Sequence, residues 1–134
     1  MTATVTYDAN LRTTCLHLQS GSSFETDAPS DNKGQGARFS PTDLIATGLG
    51  ACLITTMGIK AESMDLKLDG AKVDVTKVMM SEPRRIGKIV IAVTMPALNL
   101  DAHTKEILER VGRTCPVERS LHPDMELDIS FTWL

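Results

Sequence analysis

Polar and apolar positions alternate through most of this chain, and that alternation predicts strands. Residues 2–7 read Thr-Ala-Thr-Val-Thr-Tyr and residues 12–19 read Arg-Thr-Thr-Cys-Leu-His-Leu-Gln, with Asp8-Ala9-Asn10 as turn chemistry between them. Gly21-Ser22 breaks the second run and residues 23–26 supply a third short strand, so the first third reads as a β-meander. Further on, residues 66–82 and 87–96 are two β-patterned runs, in which 71–76 and 88–93 flank the charged turn 81–87, and this predicts a hairpin. Residues 126–133 (Glu-Leu-Asp-Ile-Ser-Phe-Thr-Trp) alternate strictly and make the last strand.

Two segments carry a helical period instead. Ser40-Pro41-Thr42-Asp43 places a Ser at the N-cap, a Pro at the first helical position and an acid three residues after the cap. Helical spacing then runs through Leu44, Ile45, Leu49, Cys52, Leu53, Thr56 and Ile59 to about Ser63. Small residues (Ala46, Gly48, Gly50, Ala51, Gly58) leave this helix apolar nearly all round, and such a helix needs burial on several sides. One small domain cannot easily supply that, so a partner subunit is expected. A second, amphipathic helix follows over about 102–113 through Ile107, Leu108 and Val111. Thr114-Cys115-Pro116 interrupts it and a short helix restarts over 116–120. The order is β-β-β-α-β-β-α-(short α)-β. Strands joined mainly by hairpins predict an α+β fold with antiparallel sheet.

Residues 27–39 are rich in Asp, Asn, Gly, Ser and Pro and read as a loop, longer than most connections in compact domains. The 134 residues suit a single domain over 1–134. With aromatic residues at 4%, the core must rest on aliphatic side chains and seven Met. A net charge of −3 and the absence of a basic run argue against nucleic acid as a partner. Residues 1–10 lack a basic start and an apolar run, and the apolar stretches are broken by Gly, Thr or Lys. Neither a targeting segment nor a membrane span is expected, and the setting predicted is cytoplasmic.

Three cysteines, Cys15, Cys52 and Cys115, then call for chemistry or plain burial rather than structural disulfides. Cys115 precedes a Pro that can open a helix, so it becomes an N-cap. Unpaired backbone N–H groups and the positive helix end favour the thiolate there; the opposing reading is a small buried residue kept for packing. Cys52 lies about three turns into the first helix and needs a spatial neighbour, such as an Arg, to activate it. Cys15 reads as packing. His17, His103 and His122 fall at no ligand spacing with the cysteines, so no metal is expected, and no phosphate loop or nucleophile elbow is present. Asp43 is most simply a capping acid.

The segments Phe39-Ser40-Pro41-Thr42-Asp43-Leu44-Ile45-Ala46-Thr47-Gly48-Leu49-Gly50-Ala51-Cys52 and Thr114-Cys115-Pro116-Val117-Glu118-Arg119-Ser120-Leu121-His122-Pro123 together resemble the OsmC/Ohr family of peroxide-detoxifying thiol proteins. The first is similar to the family's cysteine-bearing helix, with Cys eleven residues after Pro (52 − 41), and the second to its Cys-Pro-Val/Ile-x-x-Ser-Leu signature. The interval of 63 between the two cysteines (115 − 52) also resembles the family's. The resemblance implies an intertwined homodimer around a long central helix. It implies that Cys52 attacks an organic hydroperoxide as a thiolate and becomes a sulfenic acid, that Cys115 resolves it as a Cys52–Cys115 disulfide, and that a lipoyl-type dithiol restores the pair without a cofactor. The family's hydroperoxidase branch has a Glu directly after the Pro and an upstream Arg beside the thiolate. Here Thr42 follows Pro41 and the nearest acid, Asp43, is one position on, about 100° around the helix. Arg12 fits the Arg best, with Arg38 as the other candidate. These departures resemble a divergent branch, for which a redox-sensing or small-molecule-binding dimer without efficient turnover is the alternative function.

Overall fold

The computed structural model describes all residues from Met1 to Leu134, which fall into two compact units, 1–45 and 46–134. In the first, β1 (Ala3–Ala9), β2 (Arg12–His17) and β3 (Ser23–Asp27) form an antiparallel meander in that order. The β1–β2 turn places Asn10 and Leu11 at φ 53° and 64°, the pair of left-handed residues that a tight hairpin of this twist uses. A short 3₁₀ turn at Ser30–Asn32 lies within the loop that follows. Gly34 is needed in that loop because a Cβ there would stand 1.7 Å from the carbonyl oxygen of Ala28.

The long helix α1 (Pro41–Glu62) starts in the first unit and runs on into the second. Its start is capped as the sequence predicts. The Asp43 N–H donates to Ser40 Oγ at 3.1 Å and the Ser40 N–H donates to Asp43 Oδ2 at 2.9 Å, a reciprocal capping box.

In the second unit β4 (Lys72–Met80), β5 (Arg85–Met95) and β6 (Glu126–Trp133) form a sheet with β5 in the middle. The β4–β5 hairpin is antiparallel. The α+β class and the element order agree with the sequence reading, but the sheet is not antiparallel throughout. β6 pairs with β5 in parallel, Ile91 opposite Ile129. The cause is the connection: α2 (Ala102–Gly112) and α3 (Pro116–Ser120) carry the chain back along the sheet before β6 begins, so that β6 runs the same way as β5.

The core of this unit joins Leu49, Leu53 and Met57 of α1 to Ile89, Ile91, Val93 and Met95 of β5 and to Leu108 of α2, all fully buried or nearly so. Gly50 allows α1 onto the sheet, because a Cβ there would meet Val75 Cγ2 at 2.8 Å. Burial on α1 is confined to one stripe (Ala46, Leu49, Gly50, Leu53, Met57, Ala61), while Ile45 and Ile59 are 47% and 67% exposed. By length and mean hydropathy alone (22 residues, 1.5) the helix could cross a bilayer, a property the reading of its interrupted apolar runs did not anticipate. Its inner stripe is packed instead on sheet and α2. The opposite side of the sheet is polar and carries ion pairs, among them Lys72–Asp74 at 3.0 Å.

Candidate functional site

Cys52 and Cys115, 63 positions apart in the sequence (115 − 52), have their side chains within hydrogen-bonding reach in the second unit. Two unrelated elements bring them there. Cys52 sits on the partly buried flank of α1, one residue before the core residue Leu53. Cys115 is the N-cap residue of α3, with Pro116 at its first helical position, as the sequence predicts. The crossover that carries Cys115 is pinned in place by β6: Trp133 Nε1 donates to Glu109 Oε1 at 2.8 Å and the Arg113 guanidinium lies 5.1 Å from the centre of the Phe131 ring.

The two sulfurs differ in surroundings. Cys115 is fully buried and Cys52 only partly so. Burial pushes the Cys115 thiol above its ordinary value, and the Cys52 sulfur pushes it further in the same direction. The backbone N–H groups of Glu118 and Val117 act the other way and are outweighed. Of the two readings of Cys115, activation by the helix end and plain burial, burial prevails. A five-residue helix offers few aligned peptide dipoles, and the cost of charging a sulfur in an apolar core exceeds what they return. Cys115 therefore keeps its proton at neutral pH and can donate it in a hydrogen bond to the Cys52 sulfur.

Besides Cys115, Cys52 has Thr56 as a polar neighbour, one turn further along. Its hydroxyl lies 4.0 Å from Cys52 Sγ and donates to the Cys52 carbonyl oxygen at 2.7 Å. Sequence reading placed Thr56 in the helical pattern without a role. The i, i+4 interval from Cys52 was the available signal.

The remaining candidates lie in the first unit. Arg12 holds Asp27 in a two-pronged ion pair, Nε to Oδ1 at 2.7 Å and a terminal nitrogen to Oδ2 at 2.9 Å, with Glu25 3.9 Å away. Asp27 was read only as the start of a loop. It is 2% exposed, and its Oδ2 also accepts the Ala37 N–H at 3.0 Å, so that one carboxylate ties strand β2 to the far end of the loop. The Arg12 bond is the main reason its carboxyl sits below the usual range, against a desolvation penalty that works upward. Arg38 pairs with Glu25 at 3.4 Å, and a cleft of about 400 Å³ opens among Gly36, Ala37, Arg38, Phe39 and Asp43. Asp43 is engaged in the helix cap already described. Cys15, half-buried in β2, has Thr13 Oγ1 as a neighbour at 3.9 Å. No three His, Cys, Asp or Glu side chains converge as metal ligands.

The sequence of residues 34–130 matches the family model described as OsmC-like protein. No curated protein matches the chain. Among solved structures, a protein of Psychrobacter arcticus 273-4 described as osmotic stress induced and as a detoxification response protein is 45% identical, with 98% of this chain and 96% of that one aligned at a TM-score of 0.94. At lower identity the fold alone is shared. The organic hydroperoxide resistance protein OsmC of Legionella pneumophila is 16% identical (98% and 97% covered, TM-score 0.72). The organic hydroperoxide resistance protein OhrB of Bacillus subtilis is 18% identical (98% of each chain, TM-score 0.68).

Proposed function

We propose, from the premise that this chain belongs to the family of OsmC-like proteins, that it works in oxidative-stress defence as a thiol peroxidase on organic hydroperoxides. The observation that carries the reading is the hydrogen-bonding contact between the Cys52 and Cys115 side chains. Names of structural relatives given as organic hydroperoxide resistance proteins agree with it.

In this mechanism the Cys52 sulfur is the attacking group, because it is the more exposed of the two and Cys115 holds its proton. The Cys52 thiolate takes the distal oxygen of the hydroperoxide. The O–O bond breaks, an alcohol leaves with a proton taken up, and Cys52 becomes a sulfenic acid. The Cys115 sulfur then attacks Cys52, releasing water and closing a Cys52–Cys115 disulfide. A dithiol of the lipoyl type reopens it by exchange and leaves as its own disulfide, so that two electrons pass without a metal or flavin. Asp43 contributes by fixing the start of the helix that carries Cys52.

The working unit is a homodimer in the cytoplasm. Supporting this, Ile45 and Ile59 of α1 and Val5, Tyr7 and Phe24 of the first sheet are all apolar and well exposed on the single chain. A second copy is the partner whose surface matches them by composition.

Replacing Cys52 by Ser should abolish consumption of tert-butyl hydroperoxide with a dihydrolipoyl reductant, while Cys115→Ser should allow one turnover and stop at the sulfenic acid. Unchanged consumption in Cys52→Ser would end the proposal. One observation favours a second reading, a redox-sensing or small-molecule-binding dimer. The Arg12 fork is occupied by the Asp27 carboxylate and not by a sulfur. Disulfide formation without catalytic cycling would select it.

A further inference from the structure

Cys52 lies well inside a 22-residue helix, where the backbone N–H groups are spent on intrahelical bonds and none is left for a sulfur anion. The side chain of Thr56 is the polar group that the helix itself brings alongside, because residues four apart stack on one face. Its oxygen is already 4.0 Å from Cys52 Sγ, and its proton is directed to the Cys52 carbonyl oxygen at 2.7 Å.

We propose that Thr56 is a switchable hydrogen-bond donor to the Cys52 thiolate. A hydroxyl has one proton to give. While Cys52 is a neutral thiol, Thr56 gives that proton to the carbonyl and can accept the thiol proton on its oxygen. When Cys52 loses its proton to water, the Thr56 hydroxyl turns toward the sulfur. The hydroxyl turns about the Cβ–Oγ1 bond, and a small side-chain shift draws the oxygen in from its 4.0 Å separation. The Cys52 carbonyl is not orphaned by the change, because the helical bond from the Thr56 N–H remains. Cys115, which holds its proton, donates from another direction, so the anion gains two donors without a helix end. A hydrogen bond to a charged group is worth more than one to a neutral carbonyl, which sets the direction of the switch.

The inference rests on Cys52 being the attacking thiol, and its test reads the sulfur instead of the peroxide. In the reduced full-length protein, iodoacetamide labelling of Cys52 is followed peptide by peptide by mass spectrometry as pH is raised. The proteins compared are wild type, Thr56→Val, Thr56→Ala and Thr56→Ser. Val keeps the shape and removes the hydroxyl; Ala serves if Val perturbs the fold, as judged by circular dichroism. Loss of the donor should slow labelling at neutral pH about tenfold and move the midpoint of the profile upward, with Ser staying within about twofold of wild type. Val and Ala profiles that superimpose on wild type, or a Ser variant as slow as Val, would overturn the proposal. If no form consumes peroxide yet the labelling shift is present, the peroxidase reading fails and the role of Thr56 stands.

Discussion

The two three-stranded sheets are built on opposite principles. In the sheet of β4, β5 and β6, the central strand buries Ile89, Ile91, Val93 and Met95 beneath α1 and α2. In the sheet of β1, β2 and β3, every position of β1 is exposed, and large apolar side chains such as Val5, Tyr7 and Phe24 face outward. What holds the first sheet's geometry is polar: the Arg12–Asp27 pair, Thr13 to Thr26 at 2.5 Å and Thr14 to Asp8 at 2.6 Å. The second sheet draws its stability from hydrophobic burial, which does not itself titrate with pH. The first depends on charge and on side-chain hydrogen bonds.

This contrast can be broken most forcefully from the core. Leu53→Ala empties a fully buried position between helix and sheet and should cost roughly 3–5 kcal/mol, read as a lowered midpoint in urea unfolding. A loss below about 1 kcal/mol would mean that the core is much looser than its burial implies.

Acid should separate the two sheets. The folded-state pKa of Asp27 lies below its ordinary value of 3.8, so the stabilisation by its ion pair is complete above that value and disappears as pH falls through the lowered one. Amides of β1–β3 and of loop 28–38 should therefore lose hydrogen-exchange protection in acid before those of β4–β6. In Asp27→Asn that early step should vanish, with protection of the first sheet already reduced at neutral pH. Simultaneous loss across both sheets would erase the distinction.

The smallest effect on the single chain is expected from Phe24→Glu. The side chain is 49% exposed, so intrinsic stability should change by about 0.5 kcal/mol or less. The proposed dimer, in contrast, should dissociate at concentrations where wild type does not, as measured by sedimentation. A variant that remains dimeric would show that this face is not covered by a second copy.

Much of the fold was legible in local pattern. The helix over Pro41–Glu62 was announced by its capping residues, and β6 by strict alternation. The parallel pairing of β6 was not, because a strand's own pattern does not record which way its connection returns. Asp27 was overlooked for a similar reason. It lies in a stretch of turn-forming residues, and its partner emerges only once the β2–β3 register sets Arg12 opposite it. At the cysteines, the family resemblance supplied the pairing that no local feature could, and the position of Cys115 as an N-cap was readable. Whether the helix end or burial governs its sulfur was left open, since depth in the core is a property of the whole unit, and here it outweighs the helix end.

The unequal depth of the two sulfurs gives any later chemistry a direction. Under the proposed mechanism, a reductant approaching from water to open a bond between them would meet the more exposed Cys52 sulfur first, so the mixed disulfide would form there with Cys115 as the leaving group. Departing inward it would carry momentary negative charge, and the N–H groups of Val117 and Glu118 are the local dipoles that would meet it. A cap too weak to ionise the resting thiol is thus well placed to ease its exit.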